Sequence, residues 1–485
     1  MAGMRALYID IDSLRPDHLG CYGYARDTSP NIDRLASEGV RFTEMWVSDV
    51  PCLPSRTALW SGRFGFHTGV VNHGGTAAQP FVEGPTRGNR DLFGRTGWMR
   101  LLRDRGFRTA TVSSFGERHS AWHWYAGYQE VLNPGEGGLE TADQVNALAL
   151  DWLRRNGDRD NWFLHVNYWD PHTPYRTPLS FGDPFAGDAP PGWVTEETRR
   201  RMWDGFGPHS AQEPWGFDLN PHLGPREPAQ IDSMDAVGRV LDGYDTGIRY
   251  ADHHLGQLLQ VLADQGVLDD TAIIVGADHG EMLGELNVWG DHQAADAHTC
   301  RVPWIVRWPG TRPRVDRALH YQLDWPATMV ELLGGEVPDI WDGASFASTL
   351  TDGRDEGRSF LVLSQNTWSS QRSVRFGSHL CVRTYHDGYK DFAPLMLFDV
   401  DADPHEERNL ASGRADLVDR AMALLTDWQQ AAATAARSNV DPLLTVLRES
   451  PSLVSGHLPA YLERLRRTGR EVHASRLGRL HPTEC

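Results

Sequence analysis

Residues 5–24 read RALYIDIDSLRPDHLGCYGY: an apolar run that ends in two aspartates and breaks into a Gly- and Pro-marked turn. Residues two apart on a strand share a face, so Asp10 and Asp12 are placed to converge at the strand's C-terminal edge, unless one or both cap the following turn. The same setting recurs at residues 271–285, TAIIVGADHGEMLGE, where an apolar strand runs straight into Asp278 and His279. In open α/β sheets, sites form outside the carboxyl ends of the strands. Two such ends carrying carboxylates and one imidazole suit calcium, magnesium or manganese better than zinc.

Working outward, strand-like runs (FRTATVSSF, NWFLHVNYW, VPWIVRWP) alternate over the first 310 residues with helical patterns such as SPNIDRLASEGV, GWMRLLRDRG and ADQVNALALDWLRRNG. This alternation predicts an α/β fold: a large, mostly parallel sheet sandwiched by helices. Residues 1–355 form the expected catalytic domain. Within it, 176–232 is rich in Pro, Gly and Trp and reads as a lid-like insertion, since long aperiodic stretches are usually functional covers. Residues 356–485 read as a smaller C-terminal α+β subdomain with a small antiparallel sheet and amphipathic helices.

A chain of 485 residues exceeds the size at which one core stops growing. Its net charge of −18, from 47 basic and 65 acidic residues, argues against nonspecific nucleic-acid binding. Attraction for an anionic substrate must therefore come from the pocket. The start, MAGMRALYIDID, lacks the apolar core of a signal peptide, and no window reads as a membrane span, so the expectation is a cytoplasmic protein with no membrane partner. Cys21, Cys52, Cys300, Cys381 and Cys485 have no C-x-x-C spacing, which gives neither a disulfide framework nor a structural zinc site.

Cys52 stands in PCLPSRTALWSGR, residues 51–63. Pro54 suits a first helical turn, so Cys52 falls near a helix N-terminus, where an anion is favoured and a thiol is acidified. A cysteine-phosphatase loop requires arginine six positions later; that position is Ala58, and the arginine is Arg56. A thiolate nucleophile is thus disfavoured, and an inert buried cysteine remains the bland alternative.

The stretch C-L-P-S-R followed by TALWSGR resembles the C-x-P-S-R signature of the type I sulfatases, formylglycine-dependent members of the alkaline-phosphatase superfamily. DIDSLRPDHLGCYGY, NYWDPHTPY, ADHGEMLGE, RVPWIVRWPG and LFDVDADPHEERNLA resemble further segments of that family, in the same order. The resemblance implies that a formylglycine-generating enzyme converts Cys52 to Cα-formylglycine, with Arg56 as its partner. It implies one divalent ion, calcium first with magnesium or manganese as alternatives, at Asp10, Asp12, Cys52, Asp278 and His279. Asp10 departs from the pattern of many relatives, which place the second carboxylate where Ser13 stands.

His172 matches a histidine that contacts sulfate or the leaving group. Where many relatives have lysines, this chain has Ser114 and Asp291, leaving Arg118, His119 and His292 as candidate substitutes. Trp122 and Trp124, with Tyr125, are candidates for stacking on sugar rings. The implied reaction is sulfate-ester hydrolysis of a small anionic substrate, a sulfated saccharide or aryl sulfate. A metal-bound formylglycine hydrate attacks sulfur, a covalent sulfo-enzyme forms, and the second hydroxyl expels sulfate. The alternatives are a phosphonate monoester or phosphodiester hydrolase with the same nucleophile, and a noncatalytic homologue that binds sulfated glycans.

Overall fold

The computed structural model describes residues 3–84, 91–189, 191–218, 224–438 and 440–484. Pro190 and residues 219–223 of the lid-like stretch, and Cys485, lie outside the described residues.

The strands in chain order are β1 (Arg5–Ile11), β2 (Val40–Trp46), β3 (Asp49–Val50), β4 (Arg108–Val112), β5 (Glu130–Leu132), β6 (Trp162–Tyr168), β7 (Thr271–Gly276) and β8 (Met282–Leu283). They continue as β9 (Trp289–Asp291), β10 (Arg301–Arg307), β11 (Arg314–Asp316), β12 (His320–Tyr321), β13 (Phe360–Gln365), β14 (Ser370–Phe376), β15 (His379–His386) and β16 (Leu395–Asp399). The main sheet runs β11-β2-β10-β7-β1-β6-β4-β5, with β12 also on β2. β7, β1, β6, β4 and β5 are mutually parallel, and β10 is antiparallel to both its neighbours. The central strands are buried from end to end, as a sheet covered on both faces requires.

Helices Pro30–Glu38, Ala142–Asn156 and Met234–Asp264 pack together as one layer. Cys52–Ser61, Trp98–Asp104 and Asp324–Leu332 make a second. Tyr8 of β1 packs against Trp60 and Trp98 of that second layer, with ring centroids 6.2 Å apart in each case. The expected α/β architecture is the one observed.

β13 to β16 form a small antiparallel sheet, followed by the helix Ala415–Ala435. One edge of this sheet is not C-terminal: β3 pairs parallel with β13, through Asp49↔Ser364 and Val50↔Gln365. The strand that feeds Cys52 therefore belongs to the smaller sheet, and the two sheets are stitched together beside the candidate nucleophile. The 176–232 stretch holds a capped helix, Glu196–Trp203, with Thr195 Oγ1 accepting from Thr198 N at 3.1 Å. It docks on β9 through Trp289 N, which donates to His209 O at 2.8 Å.

Candidate active site

The ends of β1 and β7 lie side by side, with Asp10 in register with Gly276. The chain turns sharply after Asp12 because Ser13 adopts φ +61°, a left-handed conformation uncommon outside glycine. Ser13 Oγ donates to Asp12 Oδ1 at 2.9 Å, and Ser13 N donates to Asp278 Oδ1 at 3.3 Å. Ser13 thus ties together two of the site's carboxylates, Asp12 and Asp278.

The helix Cys52–Ser61 starts on Cys52 itself and is buried along its whole length. Its first turn is fixed to the β7 end by Ser55 Oγ, which donates to Asp278 O at 2.6 Å. Cys52 Sγ then lies 3.1 Å from His279 Nε2. Asp12, Cys52, Asp278 and His279 each present a ligand atom, all within 4.8 Å of one another and all buried.

Arg56, one turn along, is wholly buried and faces three carboxylates. Its Nε donates to Asp10 Oδ2 at 2.8 Å, and its Nη1 donates to Asp12 Oδ2 at 3.1 Å and Asp278 Oδ2 at 2.5 Å. Asp10 is outside the four-residue set. It pairs with Arg56 and His165, and its Oδ1 is buried with no hydrogen-bond partner. Three buried carboxylates against one guanidinium leave a deficit that one divalent cation would fill, and the carboxylate-rich donor set suits a hard ion.

The electrostatics oppose a thiolate. Burial pushes the Cys52 thiol well up, and Asp12 and Asp278 push it further. Burial raises the Asp12 carboxyl, but Arg56, His172, His279 and the Ser13 hydroxyl together outweigh it and hold the group low; Asp278 is driven up by burial, with Asp12 and Asp10 adding to it.

His172 and His292 bring ring nitrogens within 4.8 Å of Cys52 Sγ and of each other. Burial holds both near pKa 3, so both are neutral imidazoles in the free protein. His292 Nδ1 is buried and unpartnered. Asp291 is held by His209 Nε2 at 2.8 Å. Burial raises the Asp291 carboxyl, but His209 and His292 together bring it below its ordinary range.

Ser114 is structural: its Oγ donates to Glu140 at 2.9 Å and accepts from Trp169 Nε1 at 3.1 Å. Arg118 is exposed, its guanidinium 5.0 Å over the Trp169 ring, and it favours the ionised form of Cys52. His119 is half-buried, with Nε2 unpartnered. Trp122 is 64% exposed and lines a surface cleft of about 220 Å³ with Pro80, Phe81 and Ser120. Trp124, expected at the surface, is instead fully buried, with ring centroids 5.0 Å from Trp60 and 5.1 Å from Phe115, so it backs the Cys52–Ser61 helix and cannot stack on a substrate.

Three residues escaped the sequence reading. His73 Nε2 accepts from Leu53 N at 3.3 Å, and its ring lies 4.7 Å from His119. Arg176 packs against the His172 turn, donating to Thr173 O at 3.2 Å. His209 reaches Asp291 from the 176–232 segment. Only Arg176 carried a local signal, as the residue directly after DPHTPY.

A model of the sulfatase family matches residues 6–335. A choline-sulfatase of Rhizobium meliloti (strain 1021) is 26% identical over 435 residues, covering 81% of this chain and 79% of the relative. The structure of BT4656 in complex with D-glucosamine-2-N,6-O-disulfate superposes with a TM-score of 0.68 at 18% identity, over 89% of this chain and 98% of the other. A phosphonate monoester hydrolase from Silicibacter pomeroyi superposes with a TM-score of 0.67 at 22% identity, over 91% and 97%. At these identities the structural matches speak for the fold.

Proposed function

The chain belongs to the sulfatase family, and from that premise we propose that it hydrolyses a sulfate ester of a small anionic substrate, most favourably a sulfated saccharide. The observation that carries this reading is the placement of Cys52. It begins a buried helix within reach of Asp12, Asp278 and His279, where burial, helped by the two carboxylates, suppresses a thiolate. Such a cysteine fits the precursor of another functional group, Cα-formylglycine, made by a formylglycine-generating enzyme.

The chemistry supplied by a bound divalent ion and by the Cα-formylglycine is an acidified hydroxyl nucleophile. Asp12, Asp278, His279 and the Cys52 position would hold the ion, calcium suiting the oxygen donors best. Arg56 fixes both metal-side carboxylates by hydrogen bonds and helps hold Asp12 ionised. Its buried Nη2 has no hydrogen-bond partner in the free protein, which leaves a donor for an ester oxygen. An anionic ester beside the neutral His172 and His292 raises their proton affinity. A proton held on either ring can then pass to the leaving oxygen, a role worth roughly 10²–10⁴-fold.

The saccharide preference draws support from sulfatases of N-acetylglucosamine 6-O-sulfate and of iduronate among the relatives. Phosphonate monoester hydrolysis is the second reading. It is favoured by the carboxylate of Asp291 beside His292, which disfavours a sulfate there, and by the likeness to the Silicibacter enzyme. Rates on sulfated mono- and disaccharides, an aryl sulfate and phenyl phosphonate, measured on one preparation, separate the readings. Saccharide sulfates should lead. Turnover of phenyl phosphonate above every sulfate would replace this reading with the second.

A further inference from the structure

Away from Cys52, Asp296, His298 and Glu406 present ligand atoms within 4.8 Å of one another, and all three are buried. Asp296 caps the short helix Ala297–Cys300, which carries His298. Glu406 comes from the D-P-x-E segment after β16, and its Oε1 accepts from Ala297 N at 2.9 Å. Glu406 Oε2 and His298 Nε2 are buried, yet neither has a hydrogen-bond partner. Buried polar atoms are seldom left so.

The charge balance points the same way. Glu285 lies beside this cluster, its Oε1 3.6 Å from His298 Nδ1 and 3.0 Å from His405 Nδ1. Glu285 has its own cation, Arg15, at 3.0 Å. Asp296 and Glu406 are ion-paired with no arginine or lysine among the described residues, and two such carboxylates need a proton or a cation between them. A cavity of about 280 Å³, lined by Trp193, Glu285, His405 and Glu406, gives access.

We propose that Asp296, His298 and Glu406 form a second divalent-metal site, separate from the Cys52 centre, for which zinc is the probe ion. Imidazole and carboxylate both ligate zinc, which such donors hold more tightly than manganese, and a fourth position is open to water. The ion would fasten the C-terminal D-P-x-E segment to the helix that precedes β10. The adjoining turn is already tight: a Cβ added at Gly280 would stand 1.9 Å from His298 O.

The test uses the full chain with the Cys52 centre disabled by Asp12→Asn and Asp278→Asn, dialysed against zinc and assayed for bound metal. One equivalent of zinc should remain in this protein, and adding zinc should raise its melting temperature by several degrees. Adding His298→Gln should abolish both effects, as should Glu406→Gln, with circular dichroism confirming the fold of each. No zinc in the doubly substituted protein would mean that the carboxyl pair merely shares a proton, and would overturn the proposal. Zinc retained after both His298→Gln and Glu406→Gln would overturn it as well.

Discussion

Cys52 Sγ lies 3.1 Å from His279 Nε2, and both side chains are shut off from bulk water. Cys52 opens a helix and His279 closes a strand-end turn 227 residues later, so the contact exists only because β3 and β7 deliver the two ends to one point. The polar groups around this contact govern both the stability and the chemistry of the site.

Arg56 is the only guanidinium hydrogen-bonded to Asp10, Asp12 and Asp278 among the described residues. Removing one partner of a buried ion pair strands the other charges, at a typical cost of about 3–5 kcal/mol. Arg56→Ala should therefore melt far lower than the parent in metal-free buffer, and calcium should restore part of the loss. Thermal unfolding with and without calcium checks this; an unchanged melting temperature in metal-free buffer would contradict it.

Trp124 and Trp122 should behave in opposite ways. Trp124 sits in an aromatic cluster behind the Cys52–Ser61 helix, so Trp124→Ala should cost about 3–5 kcal/mol in denaturant unfolding. Trp122, 64% exposed, should change stability by less than about 0.5 kcal/mol when replaced by alanine.

His209 reaches Asp291, next to His292, from the 176–232 segment, and on the proposed reading it acts by positioning. His209→Ala leaves Asp291 Oδ2 without its 2.8 Å partner beside His292. Loss of such a supporting contact typically lowers activity roughly 10–100-fold. Steady-state kinetics should show the loss mainly in kcat, with His209→Gln recovering much of it.

His481 provides a pH test remote from the chemistry. Burial lowers its pKa, but hydrogen bonds to Asp387 and Glu484 outweigh that and raise it to about 9. The folded pKa exceeds the unfolded value near 6.5, so the stabilisation is complete below pH 6.5 and is lost as pH rises through 9. His481→Gln should cost about 1–2 kcal/mol at pH 6, and the difference should close above pH 9. Denaturant melts at the two pH values measure it.

How much the sequence disclosed depends on how local each signal is. Asp12, Asp278, His279, Cys52 and Arg56 sit in short runs whose strand-turn or turn-helix character is written in adjacent residues. β1, β4, β6, β7 and β10 of the main sheet were legible because strands covered on both faces are continuous apolar runs, whereas β2, β5, β11 and β12 carry no such run and were not read. His73 and His209 were not legible, since each acts through a contact made across the fold, by loops without periodicity. Trp124 was misread for a related reason: SAWHWYAGY does not reveal which of its aromatics the Trp60 and Phe115 rings enclose. Nor does the dipeptide Asp49–Val50 disclose that it completes a sheet with β13, more than 300 residues away.

The central claim is that Cys52 becomes the nucleophile only after conversion to an aldehyde. The most direct measurement is mass spectrometry of the tryptic peptide Phe42–Arg56, from protein produced with graded amounts of a formylglycine-generating enzyme, alongside aryl-sulfate turnover of the same samples. The account predicts a hydrazine-reactive aldehyde at Cys52 and a rate proportional to its fraction. Undiminished turnover by protein whose Cys52 remains wholly a thiol would contradict it.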